Sequence, residues 1–323
     1  LGGMLATLVV TALASAMAHS YTFLLVARLL TALAQALFWS VVASAVAGLF
    51  SGEHRGRALS LMFTGTSLAP VLGVPAGTWL GQREGWRAAF VALSGLALVS
   101  FVAVAVLLPR VTDPGGAVTY GATPDRRRFV LVCVVTALGI AGALASYTYV
   151  TPFLLEVSGF STSALAACLS IGGAAGVVGS LATGRFLNRH AAGVIGCALS
   201  GQAVALFALY AFGTGKALAV AMLAVVGAGM SAMAAGLSAR GLQIAPGRTD
   251  MAAAGISSSY NVGIAGGSWI GGLVVAGVSV RATALTGAVL VTAALAVAAV
   301  EPLLGRRTRT VVAPGTREEL PTR

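Results

Sequence analysis

Long apolar runs separated by short charged connectors dominate this 323-residue chain. Ten windows hold about 18 or more mostly apolar residues, the length a helix needs to cross a bilayer. They lie at approximately 1–18, 22–49, 58–80, 87–108, 129–155, 163–184, 192–213, 217–239, 251–276 and 282–300. Most connectors are short. The exceptions are 109–128, polar, rich in Pro and Gly and basic at its end, and the tail 301–323. Only 9% of the residues are charged and the mean hydropathy is +0.93. Soluble domains carry roughly 25% charged residues, so this chain cannot clothe a water-facing surface. The expected class is an all-α polytopic membrane protein, with about ten transmembrane helices arranged four before the long loop and six after it.

Several other classes fall away. The net charge of +11 does not suggest nucleic acid, because a basic binding face needs clustered charge on a soluble surface. Here the charges sit between apolar runs. The 42 glycines lack a period of three, which excludes collagen. Cys133, Cys168 and Cys197 lie inside apolar runs without C-x-x-C spacing, so they read as small hydrophobes and neither staples nor metal ligands. Ala14-Ser15-Ala16 resembles a signal cleavage site. No positive region precedes it, however, and nine more spans follow, so the first run is read as a span.

Arginine placement predicts orientation. With a cytoplasmic amino end, the inward loops and tail hold fifteen basic residues, among them Arg126, Arg127, Arg128, Arg185, Arg189, Arg240 and Arg248. The outward loops hold four: Arg83, Arg87, Lys216 and Arg281. Both ends are therefore expected in the cytoplasm, with the chain in a cell membrane. Transporters are often built from repeats, including two parallel six-helix halves. Under that plan 58–80 should correspond to 251–276. Both follow a charged loop and carry a glycine-dense centre, GTSLAPVLGVPAGTWLG against ISSSYNVGIAGGSWIGG. On this plan two helices are missing from the front.

Few residues can carry chemistry. Arg28 lies well inside an apolar run, where a charge costs roughly 2.5–3.5 kcal/mol on insertion scales and normally faces a cavity or a partner. Snorkelling to the nearby end of its helix is the alternative. Gln35 and Trp39 share its face at i+7 and i+11. In Gly65–Gly77, Pro70 and Pro75 each remove a backbone donor, and the glycines allow close helix contact. A kinked helix at a moving or sealing interface is expected there. Tyr147 and Thr151 share one face, while Tyr149 points elsewhere, towards an interfacial aromatic belt. Ser257, Asn261 and Ser268 share another face; Asn261 either bonds a neighbouring helix or contacts a polar ligand. The glycines from Gly172 to Gly184 fit tight helix packing rather than phosphate binding, since no strand precedes them. His19, His54 and His190 stand apart, and none of the nine acids lies at the middle of a span. Neither a catalytic constellation, a metal site nor a proton-relay carboxylate is read, so the chain is not expected to be an enzyme or to hold a cofactor.

These residues resemble the major facilitator superfamily, specifically its bacterial drug:proton antiporter branch. ARLLTALAQALFWSVVAS is similar to that branch's fourth-helix motif, which implies a part in proton coupling for Arg28. GTSLAPVLGVPAGTWLGQ followed by GWR resembles the helix-five antiporter motif, at Gly65, Pro70, Gly73, Pro75 and Gly77. GSLATGRFLNR resembles the second-half copy of the loop motif between helices two and three, carried by Gly179, Gly184, Arg185 and Arg189. The order of FWSVVAS, YTYVTPFL, GFS, GGAAGVVGS and APGRTDMAAAGISSSYNVGIAGG is similar to bacterial sugar-efflux transporters along nearly the whole chain. Chloramphenicol and nucleoside exporters resemble it almost as well. Thr151 stands where some sugar exporters carry an acid.

The resemblance implies an incomplete amino-terminal bundle over 1–108 (helices three to six), a cytoplasmic loop over 109–128 and a carboxy-terminal bundle over 129–300 (helices seven to twelve). A cytoplasmic tail follows over 301–323. It implies a monomeric exporter whose partners are a small solute, protons and the lipid bilayer. Arg28, Gln35, Trp39, Tyr147, Thr151, Ser257 and Asn261 would line the solute cavity. The competing class is a truncated, non-transporting membrane remnant or an interaction module.

Overall fold

Alanine, leucine and glycine fill the apolar runs, and among the described residues the chain folds them as helices. The computed structural model describes residues 1–49, 69–107, 123–184, 186–247 and 249–309. Two of the expected motif residues, Gly65 and Arg185, lie outside the described residues. The chain forms α1 (Gly2–Ala16) and α2 (Tyr21–Leu49), then a π-helical turn, Ala69–Gly73, leading into α3 (Val74–Glu84) and α4 (Trp86–Leu107). After the long loop come α5 (Arg126–Tyr147) and the short α6 (Val150–Pro152), which continues as a π-helical turn, Phe153–Val157. The remaining helices are α7 (Leu165–Gly184), α8 (Leu187–Phe212), α9 (Lys216–Gln243), α10 (Thr249–Gly277) and α11 (Val280–Arg309).

Seven of these segments are long and apolar enough to cross a membrane. Gly2–Ala16 is apolar but shorter. Helix α10 is 29 residues long, and its Ser, Tyr, Asn and Gly residues make it less apolar than those seven. Local chemistry sets the boundaries. Asp125 caps α5, its carboxylate accepting from the Arg127 and Arg128 amides at 3.0 and 3.2 Å. Gly85 ends α3 at φ +84° and Gly159 turns the chain at φ +67°, a region other residues rarely adopt.

Two boundaries differ from the sequence expectation. The run 129–155 is not one helix: α5 stops at Tyr147, and α6 with its π-helical turn follows. Pro152 offers no N–H to the carbonyl of Thr148 four residues back, and its ring crowds that carbonyl, so the ladder breaks there. The last helix runs on to Arg309, past the expected end at 300. Glu301, expected at the head of a tail, is buried within that helix.

Helix α1 packs on α2 and α4, and α3 on α4. Beyond the loop, α5 packs on α10 and α11, α9 on α7 and α8, and α11 on α8. The two sets touch where α3 and its π-helical turn meet α7, and where α2 meets α10. Burial is uneven. Some 56% of the α5 window is buried against 6% of the α4 window, so α5 is central and α4 presents most of its side chains outward. Exposed leucines and valines match lipid tails, and helices in lipid gain little by burying them. Close contact through small residues holds them instead. A Cβ on Gly142 of α5 would stand 2.7 Å from the Gly287 carbonyl oxygen of α11, and one on Gly263 of α10 would stand 2.6 Å from the Ala137 oxygen. Both helix pairs approach backbone to backbone, at distances that any side chain would prevent.

Candidate functional site

Helix α2 carries the first set of expected site residues. Ala27, Thr31 and Ala34 form its buried stripe, while Arg28 and Gln35 project from an exposed face. The Arg28 guanidinium stands 5.4 Å from the centroid of the Phe90 ring of α4. The ring's negative face offers a charge in an apolar setting a partner without a carboxylate. Trp39, 36% exposed, meets Phe38 edge to face with centroids 6.0 Å apart.

Helix α10, a neighbour of α2, carries the second set. Asn261 is exposed, and its Nδ2 donates to the Ser257 carbonyl at 2.9 Å, one turn back on the same helix. This amide donor is therefore satisfied without a neighbouring helix, and the carboxamide oxygen projects from the helix surface. Gly263, Gly267 and Gly271 occupy the face of α10 packed on α5, so Asn261 stands off that contact.

The end of α5 is arranged differently from the expectation. Tyr147 is half-buried and packs on the core of the post-loop helices. It lines a cavity of about 20 Å³ with Ser146, Val150, Phe153 and Leu206, room for about one water and no more. Thr151 is half-buried in α6. The residues that reach α10 are instead their neighbours: Thr148 Oγ1 meets Ser268 Oγ at 3.0 Å, and the Tyr149 hydroxyl donates to the Ser268 carbonyl at 3.0 Å. Tyr149, expected in an aromatic belt, thus ties the broken end of α5 to α10. The helix break explains why a continuous helical wheel misplaces these side chains.

Of the expected antiporter motif, Pro70 and Gly73 lie in the π-helical turn and Pro75 in the first turn of α3. There the missing proline N–H leaves no helix bond unmade. A Cβ on Gly73 or Gly77 would meet nothing within 4 Å, so among the described residues no close neighbour requires glycine there. The segment nevertheless makes a junction: α3 packs on α7, and Gln82 Nε2 donates to the Thr162 carbonyl at 3.1 Å. Of the loop motif, Gly179 packs α7 on α9, where a Cβ would stand 2.7 Å from the Ala228 oxygen. The same holds for the expected tight packing of this glycine run. Gly184 ends α7, and Arg189 lies in the first turn of α8.

One cluster escaped the sequence reading. Glu301 of α11, 4% exposed, accepts from Arg128 Nε of α5 at 2.7 Å and from Arg240 Nη2 of α9 at 2.9 Å. The two arginines read as topology charges and the glutamate as the start of a tail. Only helical spacing over 282–301 with a favourable continuation could have signalled the buried acid. No group of His, Cys, Asp and Glu among the described residues could hold a metal ion.

The structure is an all-α, multi-pass bundle in which α2, with Arg28 and Gln35 exposed, neighbours α10, with Asn261 exposed. The chain belongs to the Major Facilitator Superfamily, whose family model matches residues 1–248; it is a transporter of that family and not an enzyme. It is 33% identical over 270 residues to a "Probable sugar efflux transporter" of Helicobacter acinonychis (strain Sheeba), a match covering 83% of this chain and 69% of the relative. Two solved structures share the fold. The human organic anion transporter MFSD10 (TETRAN) superposes with TM-score 0.63 at 17% identity, over 92% of this chain and 76% of that one. A bacterial homolog of the human lysosomal transporter Spinster, in an inward-facing and occupied conformation, superposes with TM-score 0.67 at 14% identity, over 97% and 83%.

Proposed function

We propose that the protein exports a small sugar or drug-like solute by proton antiport, through alternating access between its pre-loop and post-loop helices. The observation that carries this reading is the 33% identity to a probable sugar efflux transporter across 83% of the chain. The bundles are 1–108 and 129–300, joined by 109–128, and they rock about a cavity between α2 and α10. Arg28, held over Phe90 with no carboxylate partner among the described residues, tunes proton coupling. Gln35, Trp39, Ser257 and Asn261 contact the solute, with Thr151 shaping the end of the cavity. The π-helical turn at Ala69–Gly73, with Pro70 within it and Pro75 just after it, lets α3 seal against α7. The excess of arginine on the side where α5 begins supports a cytoplasmic position for that side and for both ends of the chain.

A transport screen tests the assignment. Cells expressing the chain are loaded with arabinose, isopropyl thiogalactoside or chloramphenicol, and loss of each is followed. Export of at least one is expected, weakened in Arg28→Ala and Asn261→Ala. Unaltered export in both variants would remove the site assignment.

A further inference from the structure

Helix α11 is fastened at its start and again at Glu301, about two turns before its last residue, by charged groups that the transport reading does not use. At the end where the helix begins, Arg281 Nε donates to the Tyr210 carbonyl at 2.6 Å and Arg281 Nη2 to the Ala211 carbonyl at 2.8 Å. These are last-turn carbonyls of α8, which have no partner within their own helix and carry the negative end of its dipole. Further along the helix, Glu301 receives Arg128 of α5 and Arg240 of α9. Arg240 Nη1 also donates to Gln243 Oε1 at 3.2 Å. The chain entering α5 is sewn to the same place, with Thr123 N donating to the Gln243 carbonyl at 2.9 Å and Asp125 N to the Ile244 carbonyl at 3.1 Å.

We propose that α11 is a strut that fixes α8 at one membrane face and α5 and α9 at the other, so that the register among these helices holds through the transport cycle. Every partner in these contacts belongs to the post-loop set, so the contacts can persist while that set tilts against the pre-loop helices. Apolar packing alone gives little register between helices in lipid, because one apolar face slides on another at small cost. Directed ionic contacts supply that register. The outer half of the device occurs twice. Arg87, second residue of α4, donates to the Ala18 carbonyl just past α1 at 2.8 Å, as Arg281, second residue of α11, does to the end of α8. Arg87 and Arg281 are each followed by alanine.

The test rests on the alternating-access reading only in its transport arm. Arg128→Cys/Glu301→Cys is made on a background with Cys133, Cys168 and Cys197 replaced by Ala. A short reducible bis-methanethiosulfonate joins the new cysteines in proteoliposomes. Cross-linking is expected to leave transport within about two-fold and to recover the melting temperature lost on substitution. The same reagent across Gln82→Cys/Thr162→Cys, which join α3 to the segment before α7, is expected to stop transport. A ten-fold fall on joining 128 to 301, reversed by reductant, overturns the strut and makes that contact a gate. The melting arm does not need transport. Glu301→Ala and Arg281→Ala should each lower the melting temperature by about 5–10 °C. A change below about 1 °C in both overturns the strut even in a chain that moves no solute.

Discussion

Gln82 and Thr162 meet across the two sets of helices, the Gln82 side chain donating to the Thr162 backbone carbonyl at 3.1 Å. Gln82 lies in the last turn of α3, the helix that carries Gly77, and Thr162 opens the turn that leads into α7. The bond lies at one end of the seam between the pre-loop and post-loop helices, which the proposed alternating access would open. It is exposed, so its contribution is that of one ordinary neutral hydrogen bond, about 0.5–1.5 kcal/mol.

Removing it should loosen that end of the seam. Gln82→Ala is expected to raise the labelling rate of a Thr162→Cys reporter by an impermeant maleimide about two- to ten-fold, which is that energy as an equilibrium shift. An unchanged rate would mean that α3 and α7 stay apart or together for other reasons.

The glycines should separate into two classes. Gly142→Ala puts a methyl 2.7 Å from the Gly287 oxygen, forcing α5 and α11 apart, and is expected to cost about 1–3 kcal/mol. Gly77→Ala meets nothing within 4 Å and is expected to be neutral or to stabilise slightly, since alanine loses less backbone freedom on folding. Thermal melts of the two variants in the same detergent decide this, with a lowered midpoint in the first alone.

Asn261 should matter for solute and not for folding. Its amide bonds only one turn back on its own helix among the contacts described, at 2.9 Å, so Asn261→Ala leaves no buried partner stranded. The KM for the exported solute is expected to rise about two- to ten-fold with an unchanged melting midpoint. A lowered midpoint with an unchanged KM would assign the residue to packing.

Arg87 should act as a helix fastener. Its bond to the Ala18 carbonyl and its stacking 4.5 Å from the Trp86 ring centroid are lost together in Arg87→Ala. A loss of about 1.5–3 kcal/mol is expected for a hydrogen bond to a charged group, read as a lower melting midpoint. Arg87→Lys should recover part of it, keeping the charge but not the planar stack.

The helices were legible because an apolar run of bilayer length is a strong and local signal. The glycine contacts of α7 were legible for the same reason: four-residue spacing puts small residues on one face. What sequence hid were events that depend on three dimensions. The break after Tyr147 turned Tyr149 and Thr148 to Ser268, and turned Tyr147 into the core, against a continuous helical wheel. Glu301, at the edge of a hydropathy window, became a buried acid only because Arg128 and Arg240 arrive from helices far away in sequence. Arg87 and Arg281 looked like loop charges, since nothing local shows which helix end lies beside them.

Proton-driven solute movement tests the central claim most directly. In everted membrane vesicles carrying the chain, acidifying the lumen should drive accumulation of labelled arabinose or isopropyl thiogalactoside. Arg28→Ala should lower that accumulation about ten-fold or more, equivalent to about 1.4 kcal/mol in coupling, and a protonophore should abolish it. Vesicles that take up no more solute with an acidic lumen than without one, across the screened sugars and drugs, would contradict antiport.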